Sequence, residues 1–417
     1  MTELRPHANL RLVNWIQKAI VKKFGGTSVG NIERIGHVAR LVAREREQGK
    51  LPLVVASAMA GETNRLVALG NEIDPFYRGP AYDMLVASGE QVSIALLVIA
   101  LEKLGVPARP LLAYQLGIET DNVYSKARIR HIRTEMLENL IHDNIVPVIA
   151  GFQGIDEDRN ITTLGRGGSD TTAVAIAAAL KLPACEIYTD VPAVFSADPR
   201  LVPRAREIPC LSFEEMMEMA SMGSKVLHVR SVEIGAKHGV RIHVRHTFQE
   251  REGTWIVPEG EIMENPVVSA VTHDAATVVF KLQPIPADTG FMARLFSSLS
   301  EKGVSVDIIS QSELAQGFRL AFSVTAEDEP LVRKALKDFL PSEVSVETLD
   351  DIAKISTVGV GMRNHPGVAA RFFSVLAANQ VDIHLVTTSE IKISAIIPRQ
   401  RLEDAARALH TEFALDA

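Results

Sequence analysis

The sequence predicts an α/β domain with a mainly parallel sheet, followed by two small α+β modules, and three observations carry that reading. From Ile20 to about Ile256, short β-branched runs alternate with helical stretches, the pattern of a parallel sheet covered on both faces. Two glycine-rich strings, KFGGTSVG starting at Lys23 and TLGRGGSDTT from Thr163 to Thr172, each follow a β-like run and open a helix. The C-terminal third aligns with itself without gaps at a spacing of 77 residues, Gly290–Glu313 against Gly367–Glu390, with nine of 24 positions identical.

The strands expected in the large domain are Ile20 to Phe24, Leu53 to Ser57, Val146 to Phe152, Cys185 to Thr189 and Arg241 to Arg245. Ligands of open α/β sheets bind at the C-terminal ends of strands, and polar punctuation collects there: Gly25 and Gly26, Ser57, Gln153 and Asp190. A glycine has no Cβ, so Gly25, Gly26, Gly167 and Gly168 let the backbone approach an anion and aim N–H groups at it. Each string alone has an even chance of being turn chemistry; together they make two anion-binding turns in one domain. Each C-terminal repeat reads as strand, Gly-started amphipathic helix, strand, strand, helix. The boundary falls near Pro258 to Pro266, where a Glu-rich stretch breaks the periodicity. The domain limits expected are an extension at 1–19, a large domain at 20–257 and a linker at 258–266, with the two modules after it.

Composition narrows the class of function. The 417 residues are 47% hydrophobic and 23% charged, enough for two or three globular domains. Only Cys185 and Cys210 are cysteines, which argues against a disulfide framework or thiolate metal site and fits a reducing cytoplasm. Both read as small buried apolar residues. A net charge of −7 and 5% aromatic content give no nucleic-acid footprint, so a small-molecule partner is expected. The longest apolar run, Ile94 to Leu101, is too short for a membrane span. The first twenty residues lack the apolar core of a secretory signal; they read as a short docking helix (Leu10, Val13, Ile16, Ile20) or an overextended start.

KFGGTSVG, SAMAGETN (Ser57 to Asn64), ASGEQVS (Ala87 to Ser93), GFQGID, TLGRGGSDTTAVAIAAAL, EIYTDV, SADPR, FEEMMEMASMGSKVL and TTSEIKIS together resemble the aspartokinases, from about Val21 to the end. The resemblance implies an amino-acid kinase fold as catalytic domain at 20–257 followed by two ACT domains (βαββαβ), the first at 279–349 inserted into the second at 267–278 with 350–417, so that the strand around Val267 to Val271 completes the later module. It implies phosphoryl transfer from ATP, as its Mg²⁺ complex, to the β-carboxylate of L-aspartate, giving 4-phospho-L-aspartate at the head of lysine, threonine and methionine biosynthesis. No tightly bound cofactor and no protein-held metal are expected.

The carboxylate acceptor is already ionised at neutral pH, so catalysis is positioning and charge neutralisation rather than base chemistry. Lys23 is the residue expected to bridge the γ-phosphoryl group and the attacking carboxylate, with Gly25, Gly26 and Ser28 as nearby donors. The plain alternative is a solvated lysine at a strand end, as its neighbour Lys22 is expected to be. By resemblance Asp170 organises Lys23 and the phosphates; an acid in a first helical turn also suits the dipole alone. The resemblance assigns the aspartate ammonium to Glu90 and its α-carboxylate to Arg166, in a loop with Gly167 and Ser169, pairings that suit a carboxylate and a guanidinium fork. Thr63 and Ser57 line the reacting end; the plain readings are a surface charge for Glu90 and a cap hydroxyl for Thr63. Thr189, Asp190, Phe195, Asp198, Arg200 and Lys225 form the nucleotide half, with Asp190 on ribose or base and Arg200 and Lys225 on phosphates.

The sequence also departs from the family pattern. Pro192 and Ala193 replace an Asp-Gly turn and Phe195 replaces a tyrosine, keeping stacking but losing a phenolic hydrogen bond. In the first repeat Asp288, Thr289 and Gly290 precede the helix, and Gln311, Ser312 and Glu313 lead into a shortened hairpin without the usual threonines. The second keeps HPGV and Thr388, Ser389 and Glu390. Lysine or threonine sensing is therefore implied with altered or lost feedback, in a homodimer or higher homo-oligomer built through the ACT domains. A sibling kinase acting on glutamate or acetylglutamate is not expected to carry SGEQVS, SADPR and paired TTSE-type modules together. A catalytically silent amino-acid sensor is disfavoured by Lys23, Glu90, Arg166 and Asp170.

Overall fold

The computed structural model describes residues 18–222, 226–264, 266–286, 288–315 and 317–416. These divide into two compact units: one of 18–194, 207–221 and 226–264, the other of 195–206, Met222 and 266–416. The docking-helix residues Leu10, Val13 and Ile16, and the nucleotide candidate Lys225, lie outside the described residues.

The first unit runs β1 (Ala19–Phe24), α1 (Ile32–Glu47), β2 (Leu51–Ala56), α2 (Glu62–Ile73), α3 (Pro80–Lys103), β3 (Ala108–Leu111), α4 (Ala113–Leu116), β4 (Ile118–Thr120) and β5 (Ile129–Ile132). It continues through α5 (Glu135–His142), β6 (Val146–Ala150), β7 (Gln153–Ile155), β8 (Ile161–Thr163), α6 (Gly168–Ala179) and β9 (Ala184–Thr189). After β10 (Val194–Phe195) come β11 (Glu207–Ile208), β12 (Cys210–Ser212), α7 (Phe213–Ser221), α8 (Val229–His238), β13 (Arg241–His246) and β14 (Thr254–Val257). The main sheet has the order β12-β14-β13-β9-β1-β2-β6-β3, in which β14 is antiparallel to β13 and the other neighbours are parallel. Its strands are apolar nearly throughout because helices cover both faces; Val54 and Val148 are fully buried against Val38 and Val42 of α1 and Leu97 and Leu101 of α3. Asn31 starts α1 by accepting the Arg34 N–H at 2.9 Å.

Three details differ from the sequence expectations. Gln153 does not end a strand as exposed punctuation but lies buried in β7, in a second sheet of order β5-β4-β7-β8, donating to Ala87 O. Cys185 is buried, but Cys210 is only half-buried. By length and composition α3 is the one helix among the described residues that could cross a membrane, although its continuous apolar run is short. It is a core helix here, since Asp83, Glu90 and Ser93 are buried on its inner face.

The second unit holds β15 (Ala270–Asp274), β16 (Thr277–Ile285), α9 (Thr289–Glu301), β17 (Ile309–Glu313), β18 (Phe318–Thr325), α10 (Glu329–Phe339), β19 (Ser345–Leu349), β20 (Ile352–Val358), α11 (Val368–Ala378), β21 (Leu385–Ser389), β22 (Lys392–Pro398) and α12 (Leu402–Glu412). They form two antiparallel sheets, β17-β18-β16-β19 and β21-β22-β20-β15. The strand orders correspond place by place, but β15, which precedes the first module in sequence, fills the fourth place in the second. Phe280, Leu295, Phe322 and Leu336 fill the first core, Ile355, Phe372, Ile393 and Leu409 the second.

Residues 195–206, expected within a continuous catalytic domain, fold with the second unit. Ala197 and Val202 enter its core, Ser196 Oγ lies 2.9 Å from His410 Nε2, and Val271 N–H donates to Ser196 O at 2.8 Å. Burial of these apolar side chains outweighs chain continuity with β10.

Candidate functional site

Successive residues of a strand face opposite sides of a sheet, so Lys22 and Lys23 diverge. Lys23 turns toward α6, where its Nζ lies 2.6 Å from Asp170 Oδ1, with the two side chains 12% and 9% exposed. Asp170 stands in the first turn of α6, which Gly167 opens at a φ of 70°. A carboxylate there is stabilised both by the helix N-terminus and by the ammonium.

Lys22, expected to be solvated, is 1% exposed. Its Nζ donates to Glu45 Oε1 at 2.8 Å, to Glu186 and to Tyr188 Oη at 3.3 Å, while Arg245 reaches Glu186 at 3.3 Å. Burial alone would lower the Lys22 ammonium, but Glu186, Tyr188 and Glu45 hold it above its usual value.

Gly25 and Ser28 do not aim their N–H groups outward. Gly25 N–H donates to Tyr188 O at 3.2 Å and Ser28 N–H to Gly25 O at 2.9 Å, closing the turn after β1. The Ser28 hydroxyl is committed to Thr247 Oγ1 at 2.6 Å. What these positions supply is room: a Cβ on Gly25 would stand 3.4 Å from the Lys23 ammonium, and one on Gly26 would meet Ala58 O at 2.9 Å. The turn after β1 thus packs directly on the turn after β2, where Ser57 sits half-buried.

Ala58 N–H donates to Glu90 Oε1 at 3.0 Å. Glu90 is 2% exposed, its Oε2 has no partner among the described residues, and burial pushes its carboxyl up to about 7. It is not a surface charge. Thr63 is the second residue of α2, whose cap is Gly61, so it is not a cap hydroxyl either. Arg166 stands exposed between Gly165 and Gly167, with φ of 79° and 70°. A side chain at 167 would fall 2.2 Å from His228 Cβ, so glycine is required there. Ser169 is buried against Gly151, where a Cβ would come within 2.7 Å. Glu90 thus holds Ala58, Ala58 packs on Gly26, and Gly25 next to it faces the Lys23 ammonium that pairs with Asp170.

Phe152 escaped the sequence reading. It takes a φ of 69°, outside the regions a phenylalanine prefers, and its N–H donates to Thr172 Oγ1 at 3.1 Å. It packs against Gly168, where a Cβ would lie 2.8 Å from the ring. Its place in GFQG, just after a buried strand, was the available signal.

On the other side of β1, Thr189 ends β9 half-buried and Asp190 is exposed, the Thr189 hydroxyl donating to it at 3.2 Å. Phe195, Asp198 and Arg200 belong to the second unit. There Arg200 forks Asp198 through Nε at 3.0 Å and Nη2 at 2.6 Å, and holds its carboxyl below the usual range. Of the regulatory candidates, Asp288 caps α9 by accepting Gly290 N–H at 2.8 Å, and Gln311 is exposed on the edge strand β17. Thr388 and Ser389 are exposed on the other edge strand, β21, and Glu390 lies 3.3 Å from Arg363.

The chain matches the amino acid kinase family over residues 18–246 and the ACT domain family over 355–413. It is 46% identical to the aspartokinase of Pseudomonas aeruginosa over 403 residues, covering 95% of this chain and 98% of that one. Among solved structures it is similar to E. coli aspartokinase III in complex with aspartate and ADP, with a TM-score of 0.81 and 25% identity over 94% of this chain and 99% of that one. It is also similar to the same enzyme in complex with lysine and aspartate, at a TM-score of 0.76 and 25% identity over 95% and 99%. With that likeness running over nearly its whole length, the chain belongs to the amino acid kinase family, in its aspartokinase branch.

Proposed function

We propose that Lys23, oriented by Asp170, is the electrostatic centre of γ-phosphoryl transfer from ATP to the β-carboxylate of L-aspartate. The observation that carries this is the buried Lys23–Asp170 pair at the C-terminal edge of the sheet, beside an almost fully buried carboxyl at Glu90. The transferred group carries charge on its equatorial oxygens, and a preorganised ammonium offsets it without moving. No general base is needed, because the acceptor is ionised. Glu90 takes the aspartate ammonium, Arg166 forks onto the α-carboxylate, and Ser57, Thr63, Gly167 and Ser169 shape the pocket. Thr189 and Asp190, at the end of β9, serve the nucleotide, with Gly25, Gly26 and Ser28 providing a compact turn beside it.

Mg²⁺ enters with ATP, neutralising phosphate charge. Asp170 is the carboxylate positioned to meet it, which fits an ion usually held by one or two carboxylates plus substrate phosphates. Both C-terminal modules serve as ACT domains, the first built on β16–β19 and the second on β20–β22 with β15, and a lysine- or threonine-like amino acid is the class of effector. Assembly as a homodimer through their edge strands and a cytoplasmic location complete the reading, the latter resting on two unpaired cysteines.

Purified protein with Mg·ATP, L-aspartate and hydroxylamine tests the assignment by trapping the acyl phosphate as aspartyl hydroxamate. Hydroxamate formed only with glutamate or acetylglutamate, or none at all with intact protein, would overturn it.

A further inference from the structure

We infer that Arg230 and Asp83 form a clamp that positions the Arg166 loop for the carboxylate substrate, a role that rests on Arg166 binding aspartate. Arg230, on α8, is half-buried and donates from Nη1 to Leu164 O at 2.6 Å and from Nη2 to Ala127 O at 2.8 Å. Asp83, on α3, has no exposed surface. Its Oδ2 accepts Thr163 N–H at 2.6 Å and Ser125 N–H at 3.0 Å, and its Oδ1 accepts the Ser125 hydroxyl at 3.2 Å. The two charged groups therefore grip the same pair of strands of chain, 125–127 and 163–164, from opposite helices. Between them Ala127 N–H donates to Thr163 O at 2.9 Å, and a Cβ on Gly165 would lie 2.9 Å from Ser125 O.

The next residue in the chain is Arg166, flanked by two glycines at positive φ and in neither helix nor strand. Nothing regular fixes that backbone, so its order must come from where it is anchored. A loop held in its binding conformation spares the substrate the cost of ordering it. Arg230 suits this task because a planar guanidinium satisfies two carbonyls in fixed directions, whereas a lysine ammonium on a flexible stem does not. Both residues act through Arg166 and touch no substrate in this scheme, so they are positioning residues.

The test compares Arg230→Lys, Arg166→Lys and the double variant, with KM measured separately for aspartate and ATP and Tm for each protein. Arg230→Lys is expected to raise KM for aspartate on the order of tenfold with KM for ATP nearly unmoved. The double variant is expected to have an aspartate KM close to that of Arg166→Lys, because both changes disable one unit. Equal rises in both KM values, a fall in Tm alone, or fully additive effects would overturn the clamp. If Arg166→Lys raises KM for aspartate and Arg230→Lys does not, the clamp is wrong and the Arg166 assignment stands. If Arg230→Lys acts while Arg166→Lys is inert, the loop is confirmed as positioned and the fault lies in the choice of Arg166. Asp83→Asn, which replaces an acceptor by a donor facing Thr163 N–H, should move KM for aspartate in the same direction with some loss of Tm.

Discussion

On the two faces of β1, adjacent lysines meet different partners. Lys22 closes a buried set in which two cations, its own and Arg245, meet two carboxylates, Glu45 and Glu186. Among the described residues Lys23 pairs with Asp170, at the end of the strand where the turns after β1 and β2 pack together. The first arrangement pairs its charges internally, so removing one member leaves buried charge uncompensated and destabilises the fold. The second holds the cation that the proposed mechanism sets against developing substrate charge, where its effect would be on rate. Identical side chains, one residue apart, are given different partners by the pleat of the strand and by what packs on each face.

Lys22→Ala leaves Glu45 and Glu186 short of a buried partner, and removal of one member of such a set costs about 3 to 5 kcal/mol. Chemical denaturation should show that loss, while the folded fraction keeps a kcat close to the parent's; an unchanged midpoint would mean that the Lys22 cluster stabilises nothing. Lys23→Ala should do the reverse, lowering kcat on the order of 10²- to 10³-fold with a much smaller change in midpoint. Retention of more than about a third of the rate would remove Lys23 from the chemistry, since so small a loss is under 1 kcal/mol.

Glu90 sharpens the contrast through pH. Its folded carboxyl sits at about 7 against a usual 4.5, so the protonated form is favoured in the fold. Its contribution to the stability of the unliganded protein is therefore present below pH 4.5 and lost as pH rises through about 7. In the role proposed for Glu90 the aspartate ammonium needs the ionised form, of which only about a tenth is present at pH 6, so KM for aspartate should be about tenfold higher at pH 6 than at pH 8. Glu90→Gln should flatten that profile and raise KM at pH 8. A wild-type profile that is flat between those values would exclude Glu90 from ammonium binding.

The smallest effect is expected in the regulatory modules. Asp288 is already committed to capping Gly290 and to Arg294 at 3.2 Å, and Gln311 and Glu313 lie exposed on an edge strand, without the usual threonines in the hairpin that follows. A ligand whose charged ends lack partners binds weakly. Lysine and threonine, singly or mixed, should therefore change KM or kcat by less than about fivefold, below the usual range of allosteric coupling. Strong inhibition at sub-millimolar concentration in the hydroxamate assay would show that the altered first module still closes over an effector.

The parallel sheet and the repeated modules were legible in the sequence, because periodicity and glycine placement are local; Lys23, Glu90, Arg166 and Asp170 were singled out by motif resemblance, and their roles are the ones proposed above. The sequence did not reveal that Lys22 is buried, because its partner Glu186 lies 164 residues away and only the pairing of β1 with β9 brings them together. The backbone of Phe152 was likewise hidden, since its positive φ is imposed by packing against α6 rather than by local preference. Residues 195–206 read as part of the catalytic domain by continuity, yet Val271, Arg407 and His410 hold them in the second unit. Local chemistry fixes which groups a segment carries; the partners that bury, strain or anchor those groups come from distant chain, and only the tertiary structure decides which they are.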